Sequence, residues 1–195
     1  MKPILRDFPD TFETERLTIR SPRPGDGPEL NAALRESWAE LKPWMVWAKE
    51  DPPSLAASEA RVRTAYSNFI TRKDLTLHLY LKGTDTLVGS SGLHRFEWSV
   101  PRFEIGYWVR TRFAGRGYIT EAVAGITDFA FGVLDAERVE IHCAHNNQRS
   151  AAIPRRLGYR HEGTLRAYRR HHLTNELVDQ MVFAVLKEEW PGRAL

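Results

Sequence analysis

Residues 112–118 read Arg-Phe-Ala-Gly-Arg-Gly-Tyr and lie between a predicted strand and a strongly periodic helix. Gly115 and Gly117 allow backbone conformations that a Cβ would oppose, and they let a ligand approach the chain closely. Arg112 and Arg116 add positive charge to the same stretch. The following helix begins with N–H groups that have no intrahelical acceptor, at the positive end of its dipole. The stretch therefore predicts a binding site for an anionic group such as a phosphate.

Two known kinds of phosphate-binding loop do not match this stretch. A Walker loop requires a lysine followed by serine or threonine after the glycines, and that pair is missing. The dinucleotide fingerprint requires three spaced glycines and an acidic residue downstream, which are missing too. Two glycines at a strand–helix junction also suit a plain turn, so the interpretation depends on the flanking elements.

The flanking elements predict a strand–helix–strand unit. Residues 103–109 alternate between apolar and mixed positions, as in a strand. Apolar residues recur at alternating steps of four and three from about Tyr118 to Leu134, which predicts a helix with one apolar face. Residues 139–143 alternate again. A unit of this length crosses over right-handed and makes its two strands parallel.

Four motifs in this region resemble the acetyl-CoA-binding core of the GNAT superfamily of N-acetyltransferases. They are Glu-Ile-Gly-Tyr-Trp at 104–108, the loop at 112–117, Thr-Glu-Ala at 120–122, and Asn147-x-x-Ser150. The loop fits the family's pyrophosphate pattern, Arg/Gln-x-x-Gly-x-Gly/Ala. The motifs are most similar to the RimJ/RimL-type branch, which includes the ribosomal-protein N-terminal acetyltransferases. The resemblance runs from about Thr14 to Trp190 and implies the GNAT fold, a mixed α/β architecture with a central mixed sheet flanked by helices.

Length and composition favour one cytoplasmic domain. The 195 residues contain no linker or composition shift, so we expect one domain over residues 1–195. No run reaches membrane-spanning length, and the start of the chain does not read as a signal peptide. The single Cys143 lies in a buried-strand pattern, which is typical of a reducing compartment. The formal charge of +3 is scattered along the chain, which disfavours nucleic acid as a partner.

The remaining elements complete a mixed sheet with flanking helices. Asp26 is predicted to cap the first helix, with Glu29 completing a capping box and Pro28 in the first turn. The expected order is a strand at 15–20, that first helix, a tryptophan-rich connection at 38–47, a helix at 54–71, a hairpin at 75–93, the strand–helix–strand unit, a short helix ending at Gly158, and strands at 159–167 and 177–186.

The resemblance implies acetyl-CoA as co-substrate and a set of residues that bind it. In the family, the pantetheine arm pairs with the backbone at the end of the strand before the loop, and the loop and helix start receive the pyrophosphate. The implied contacts are Trp108, Val109, Arg110, Arg112, Ala114, Gly115, Arg116, Gly117, Tyr118, Ile119 and Thr120, with Asn147 on the pantetheine amide.

The resemblance places Ser150 near the thioester sulfur. Many family members have a tyrosine acid seven residues after the asparagine, but this chain has Pro154 there. Ser150 is then the best remaining proton donor to the departing thiolate. Pro154 also has no N–H for the carbonyl of Ser150, which leaves that carbonyl without its helical partner. The spacing of Asn147 and Ser150 equally suits a simple helix cap, and that alternative stays open.

Glu104 is the candidate general base because it lies on the strand beside the implied cofactor. An exposed glutamate on a strand is often only solvated, so that alternative stays open as well. Ribosomal-protein members place a second acid where this chain has Arg169. His171 and His172 would point to opposite faces of a strand, and no further ligand lies at a suitable spacing, so we expect no metal site.

The acceptor is an amine whose identity the sequence leaves open. Trp38, Trp44 and Trp47 suit core packing, while the resemblance places their segment over the acceptor end of the site. The acceptor is a protein N-terminus or a small-molecule amine. A GNAT-fold module that binds CoA without catalysis, and a basic nucleic-acid-binding protein, are the rival interpretations. The oligomeric state is open, a homodimer included.

Overall fold

One eight-stranded mixed sheet runs through residues 2–192, the part of the chain that this computed structural model describes. The elements in chain order are β1 Thr11–Glu13, β2 Leu17–Arg20, α1 Gly27–Leu41, α2 Leu55–Ile70, β3 Leu75–Leu81, β4 Leu87–Glu97, β5 Arg102–Val109, α3 Tyr118–Gly132, β6 Arg138–Ala144, α4 Gln148–Arg156, β7 Arg160–Arg170 and β8 Leu177–Leu186. The strand order is β1-β2-β3-β4-β5-β6-β8-β7. Only β5 and β6 pair in parallel, and the other neighbours are antiparallel.

The helices cover both faces of the sheet, and each face has its own core. On one face α3 buries almost its whole length, and Phe129 packs in a cluster with Phe103 of β5 and Phe183 of β8. On the other face Leu34 of α1 and Val62 of α2 pack in a cluster with Trp108 of β5. Successive residues of β5 therefore contribute to different cores, as the alternating pattern predicted.

The parallel ladder between β5 and β6 is short, which leaves a gap between these strands. β5 and β6 pair at three positions, ending with Glu104 opposite Glu140. Beyond that point β5 stays with β4 as far as Val109, while β6 stays with β8 as far as Ala144. The two strands thus diverge toward their carboxyl ends. We call the space between them the opening.

The structure corrects three details of the expected elements. β1 precedes the predicted first strand, and Trp38 lies in α1 rather than in a connection. The predicted capping box is wrong, because Asp26 accepts two 2.8 Å bonds from the guanidinium of Arg20 instead of capping α1. Glu29 is likewise taken by a distant partner, since it accepts from the Leu87 amide at 2.9 Å. Among the described residues, no helix is both long and apolar enough to cross a membrane.

Candidate active site

The glycine-rich loop adopts the conformation that its glycines allow. Gly115 and Gly117 have φ values of 75° and 80°, in the left-handed region that side chains oppose. Residues 114–117 are exposed, and Gly117 is the N-cap of α3. The amides of Tyr118, Ile119 and Thr120 form the first turn of α3, where helical geometry provides no intrahelical acceptor. The loop therefore presents backbone donors and a helix dipole to solvent.

Two arginines that sequence reasoning missed surround this loop. Arg16 donates to the carbonyl of Arg116 at 3.1 Å, and its guanidinium lies 4.4 Å from the ring centre of Tyr118. Arg156 of α4 donates to the hydroxyl of Thr120 at 3.3 Å. Neither arginine lies near the loop in sequence, so no local pattern could have found them. Arg116 and Arg156 add positive charge beside the start of α3, which suits a phosphate, whereas the Arg16 guanidinium is already paired with Glu121 of α3 at 2.6 Å.

The residues between β5 and the loop are held by α1. Arg110 is 5% exposed and donates to Glu36 at 2.7 Å and to Glu29 at 2.8 Å. Arg112 donates through Nε to both oxygens of Glu36, each at 2.8 Å. The sequence predicted that the Arg112 side chain adds charge to the phosphate site. In the structure, the Arg112 guanidinium is already paired with the Glu36 carboxylate. Glu36 fixes the base of the loop.

These arginines also keep Glu36 ionised. Hydrogen bonds from Arg112, and then from Arg110, lower the pKa of Glu36 from 4.5 to about 2. A depressed carboxyl pKa contributes stability above the ordinary pKa and loses it as the pH falls toward the folded-state value. The ion pairs should therefore weaken between about pH 4.5 and pH 2.

We expect Glu36→Gln to lower the free energy of unfolding by about 1–2 kcal/mol at pH 7, because it deprives the buried Arg110 of a charged partner. This decrease in the free energy of unfolding should become smaller as the pH falls from about 4.5 to about 2. Urea unfolding at pH 7 and pH 2.5 measures both effects. Glu40→Gln is the matched control, since within residues 2–192 the one side-chain hydrogen bond of Glu40 is that from the Thr111 hydroxyl, at 3.2 Å. If Glu36→Gln and Glu40→Gln lower the free energy of unfolding equally, Glu36 does not anchor the loop as described.

The backbone of β5 offers hydrogen-bonding groups to the opening. The Arg110 amide donates to the Val88 carbonyl at 2.7 Å, so that amide faces β4. Peptide groups alternate along an antiparallel ladder, so those of Trp108 also face β4, whereas those of Tyr107 and Val109 face the side of β6. Because β6 has diverged there, the groups of Tyr107 and Val109 face the opening.

The start of α4 combines a helix cap with an unusual tyrosine contact. The Asn147 side chain accepts from the Ser150 amide at 3.1 Å, which is the capping arrangement. Pro154 lies inside α4, and the carbonyl of Ser150 accepts instead from the Tyr107 hydroxyl at 2.9 Å. The same phenol lies 3.1 Å from the Ser150 hydroxyl. Sequence reasoning identified the carbonyl without a helical partner but missed Tyr107, which satisfies it.

Burial keeps the groups around Ser150 neutral. It raises the pKa of the Tyr107 phenol well above its ordinary value, and it raises the pKa of the Cys143 thiol. Both groups therefore keep their protons at neutral pH. Because Tyr107 uses its proton on the Ser150 carbonyl, the Ser150 hydroxyl is left as the donor in their mutual contact.

Glu104 lies on the opposite face of β5 from Tyr107 and is already paired. It accepts from Arg95 Nη1 at 2.5 Å, and its other oxygen lies 3.7 Å from His142 Nδ1. The Glu104 side chain is 14% exposed. The candidate base is therefore a shielded carboxylate in an ion pair, with a histidine that sequence reasoning did not single out beside it.

The tryptophan-rich segment runs from the end of α1 into the connection to α2 and packs against itself. Trp38 and Trp47 lie 5.9 Å apart between ring centres, and Trp38 Nε1 donates to the Glu50 carbonyl at 2.9 Å. Trp44 is 37% exposed. Packing thus accounts for Trp38 and Trp47, while Trp44 presents apolar surface.

The turn between β7 and β8 contacts this segment through two histidines. His171 Nε2 donates to the Pro43 carbonyl at 3.0 Å, and His172 Nε2 donates to the Lys42 carbonyl at 2.9 Å. The expectation that the two rings face opposite ways is wrong, because they lie in a turn and stack at 4.8 Å. Within residues 2–192, no group of three or more His, Cys, Asp or Glu side chains is arranged to hold a metal ion.

Comparison with known proteins assigns the family. Residues 16–160, most of the chain, match the model of the acetyltransferase (GNAT) domain. The chain is a GNAT acetyltransferase. It is therefore an enzyme of the N-acetyltransferase class, and its mixed sheet with flanking helices is the GNAT fold, as the sequence resemblance implied.

Individual relatives agree with the RimJ/RimL-type branch. A Bacillus subtilis (strain 168) protein named "Putative ribosomal N-acetyltransferase YdaF" is 29% identical over 182 residues, 91% of this chain and 95% of the relative. A solved structure described as "Probable acetyltransferase" has a TM-score of 0.83 at 28% identity and covers 92% of this chain and 98% of its own. RimL, a ribosomal alpha-N-protein acetyltransferase solved with coenzyme A, shares the fold with a TM-score of 0.81 at 19% identity, over 89% of this chain and 95% of its own.

Proposed function

We propose that this GNAT enzyme transfers the acetyl group of acetyl-CoA to the α-amine of a protein N-terminus, by direct attack of the amine on the thioester. The observation that carries the proposal is the opening beside β5, the strand that leads into the glycine-rich loop, with the Ser150 hydroxyl 3.1 Å from Tyr107 of that strand. The names of the B. subtilis relative and of RimL, a structure with bound coenzyme A, support the donor and the acceptor class.

The cofactor would lie along the opening. The pyrophosphate would meet the backbone of residues 114–120, with Arg116 and Arg156 balancing its charge. The pantetheine arm would pair with the peptide groups of β5 that face the opening, which brings its thioester toward Ser150. Asn147 would contribute its amide nitrogen, because its oxygen already accepts from the Ser150 amide.

The transfer needs no covalent enzyme intermediate. A neutral amine attacks the thioester carbonyl, the carbon–sulfur bond breaks, and the thiolate of CoA takes up a proton. The Ser150 hydroxyl would supply or relay that proton. Its hydrogen bond to Tyr107 holds it in position before the thiolate forms.

We expect Ser150→Ala to lower kcat about tenfold and to leave the Kd for acetyl-CoA within about twofold, because the hydroxyl acts mainly as thiolate charge develops. The effect should be modest, since a thiol with a pKa of about 8.5 is already a fair leaving group. Steady-state kinetics measures kcat, and calorimetry measures the Kd for acetyl-CoA. If acetyl-CoA instead binds more weakly and kcat is unchanged, Ser150 acts only as a structural helix cap.

An acceptor screen scored by release of the CoA thiol tests the proposed function. It should compare lysine-free peptides bearing free N-termini with amino acids, polyamines and an aminoglycoside. Turnover only with a small amine would move the acceptor to that class. Calorimetric binding of acetyl-CoA without thiol release from any acceptor would favour a binding module, and no binding at all would overturn the proposal.

A further inference from the structure

Three side chains form a cluster where the opening begins. His142 Nε2 lies 2.9 Å from Glu140 Oε2, and His142 Nδ1 lies 3.7 Å from Glu104 Oε2. The side chains of His142, Glu140 and Glu104 are 14%, 11% and 14% exposed. A titratable histidine thus lies between two carboxylates, largely shielded from water.

The position of His142 relates it to both walls of the opening. Glu140 closes the β5–β6 ladder, so His142, two residues later, lies on the part of β6 that has left β5. Side chains alternate along β6, which puts His142 on the face opposite to Cys143. Ser150 lies on the Cys143 side. A thioester held in the opening would therefore have Ser150 on one face and His142 on the other.

We propose that His142 is the general base that removes the proton from the acceptor amine, directly or through one water, with Glu140 as its positioning residue. This inference rests on the proposed acetyl transfer and adds a residue to it. The leaving thiol and the attacking amine then use different faces of the sheet.

The hydrogen bond to Glu140 determines which nitrogen can accept a proton. That hydrogen bond from His142, together with the one from Arg138, lowers the pKa of Glu140 to about 2, so Glu140 is a carboxylate at neutral pH. A carboxylate only accepts, so His142 Nε2 carries the hydrogen and the neutral ring has its lone pair on Nδ1. The Glu104 carboxylate, 3.7 Å from Nδ1, would stabilise the positive charge once the proton arrives.

Glu104 is the weaker candidate because one of its oxygens is already engaged by Arg95, while the other faces His142 Nδ1. Its carboxylate accepts from Arg95 at 2.5 Å, and removing a proton from an ammonium would compete with that ion pair. β8 presents the uncharged Val182 opposite His142. The other charged groups that contact the two carboxylates are Arg95 of β4, Arg102 of β5 and Arg138 of β6.

Every proton and electron pair of the proposed reaction is accounted for by the substrates, His142, Ser150 and solvent. The substrate ammonium gives one proton to His142 Nδ1, and the amine lone pair forms the new carbon–nitrogen bond. The carbon–sulfur pair leaves with the thiolate, which takes the second amine proton by way of the Ser150 hydroxyl. The imidazolium then returns its proton to solvent, which resets the site.

The first test measures kcat/KM from pH 6 to pH 9.5 with a lysine-free hexapeptide that has a free N-terminal serine. We expect His142→Gln to lower kcat/KM about 100-fold at pH 7. The deficit should narrow about tenfold by pH 9, because the neutral fraction of an α-amine with a pKa near 8 rises about tenfold over that range. His145→Gln is the matched control and should leave kcat/KM unchanged, because His145 is exposed and lies just beyond the end of β6. If Glu104→Gln shows this pH-dependent loss and His142→Gln does not, Glu104 is the base.

The second test needs no acceptor. Nitrogen-15 NMR of the imidazole rings at pH 8, assigned with His142→Gln, should show hydrogen on Nε2 of His142 and none on Nδ1. Glu140→Gln should mix the two tautomers, because an amide can donate as well as accept. A hydrogen on Nδ1 in the unmutated protein would overturn the inference whatever the kinetics. Calorimetry should give His142→Gln an unchanged Kd for acetyl-CoA, whereas absence of binding in the unmutated protein would count against the proposed function instead.

Discussion

Gly117→Val should abolish measurable acetyl-CoA binding, the largest effect expected for a single substitution in this enzyme. Gly117 has φ of 80°, where a β-branched residue is strongly disfavoured, so the start of α3 would have to rearrange. A valine would also fill space beside the first-turn amides that the pyrophosphate is proposed to approach. We expect the Kd measured by calorimetry to rise more than 100-fold, which corresponds to about 3 kcal/mol or more.

Gly132→Val is the matched control for this prediction. Gly132 ends the same helix, has no positive φ, and a Cβ there would meet no atom within 4 Å. The Gly117 site is also open, since the nearest atom to an added Cβ is Arg16 Nη2 at 3.5 Å. Crowding within the protein therefore could not explain a loss of affinity in Gly117→Val, and a folded variant that keeps its affinity would remove the loop from the cofactor site.

The sequence predicted the features that depend on local pattern. The alternation of residues 103–109 and the periodicity after Tyr118 are confirmed as β5 and α3. The predicted parallel pairing of β5 with β6 is confirmed as well. The sequence could not show that this ladder stops at Glu104, because divergence of two strands depends on the twist and pairing of the whole sheet.

Side-chain partners at long range account for what the sequence missed. Asp26 has the residue type and position of a helix cap, but its carboxylate accepts two hydrogen bonds from the charged guanidinium of Arg20, where a cap would accept from a neutral backbone amide. Arg112 similarly pairs with Glu36, which lies 76 residues away in the sequence. Tyr107 lies 43 residues from Ser150, so no local pattern could predict their contact. Pro154, which has no N–H, was the one sign in the sequence that the Ser150 carbonyl needs another donor.

The acceptor preference is the last large effect that we expect. An α-amine with a pKa near 8 is roughly a tenth neutral at pH 7, whereas a lysine amine near 10.4 is neutral about four times in ten thousand. This ratio of roughly 200, about 3 kcal/mol, is the cost of deprotonating lysine instead of an α-amine. A neutral imidazole base removes the proton of an α-ammonium at far lower cost than the proton of a lysine ammonium. We therefore expect kcat/KM at pH 7 to favour an α-amine roughly 200-fold.

Two matched peptides measure this preference. One has a free α-amine and arginine in place of lysine, and the other is N-acetylated and has a single lysine. Both retain one cationic side chain, so the comparison reports on the reacting amine and not on overall charge. The difference should narrow as the pH rises from 7 to 10, because the α-amine is already neutral above pH 9 while the lysine amine is still losing its proton. A lysine peptide that reacts faster at pH 7 would require a stronger base than His142 or Glu104, and it would direct the search for the acceptor away from protein N-termini.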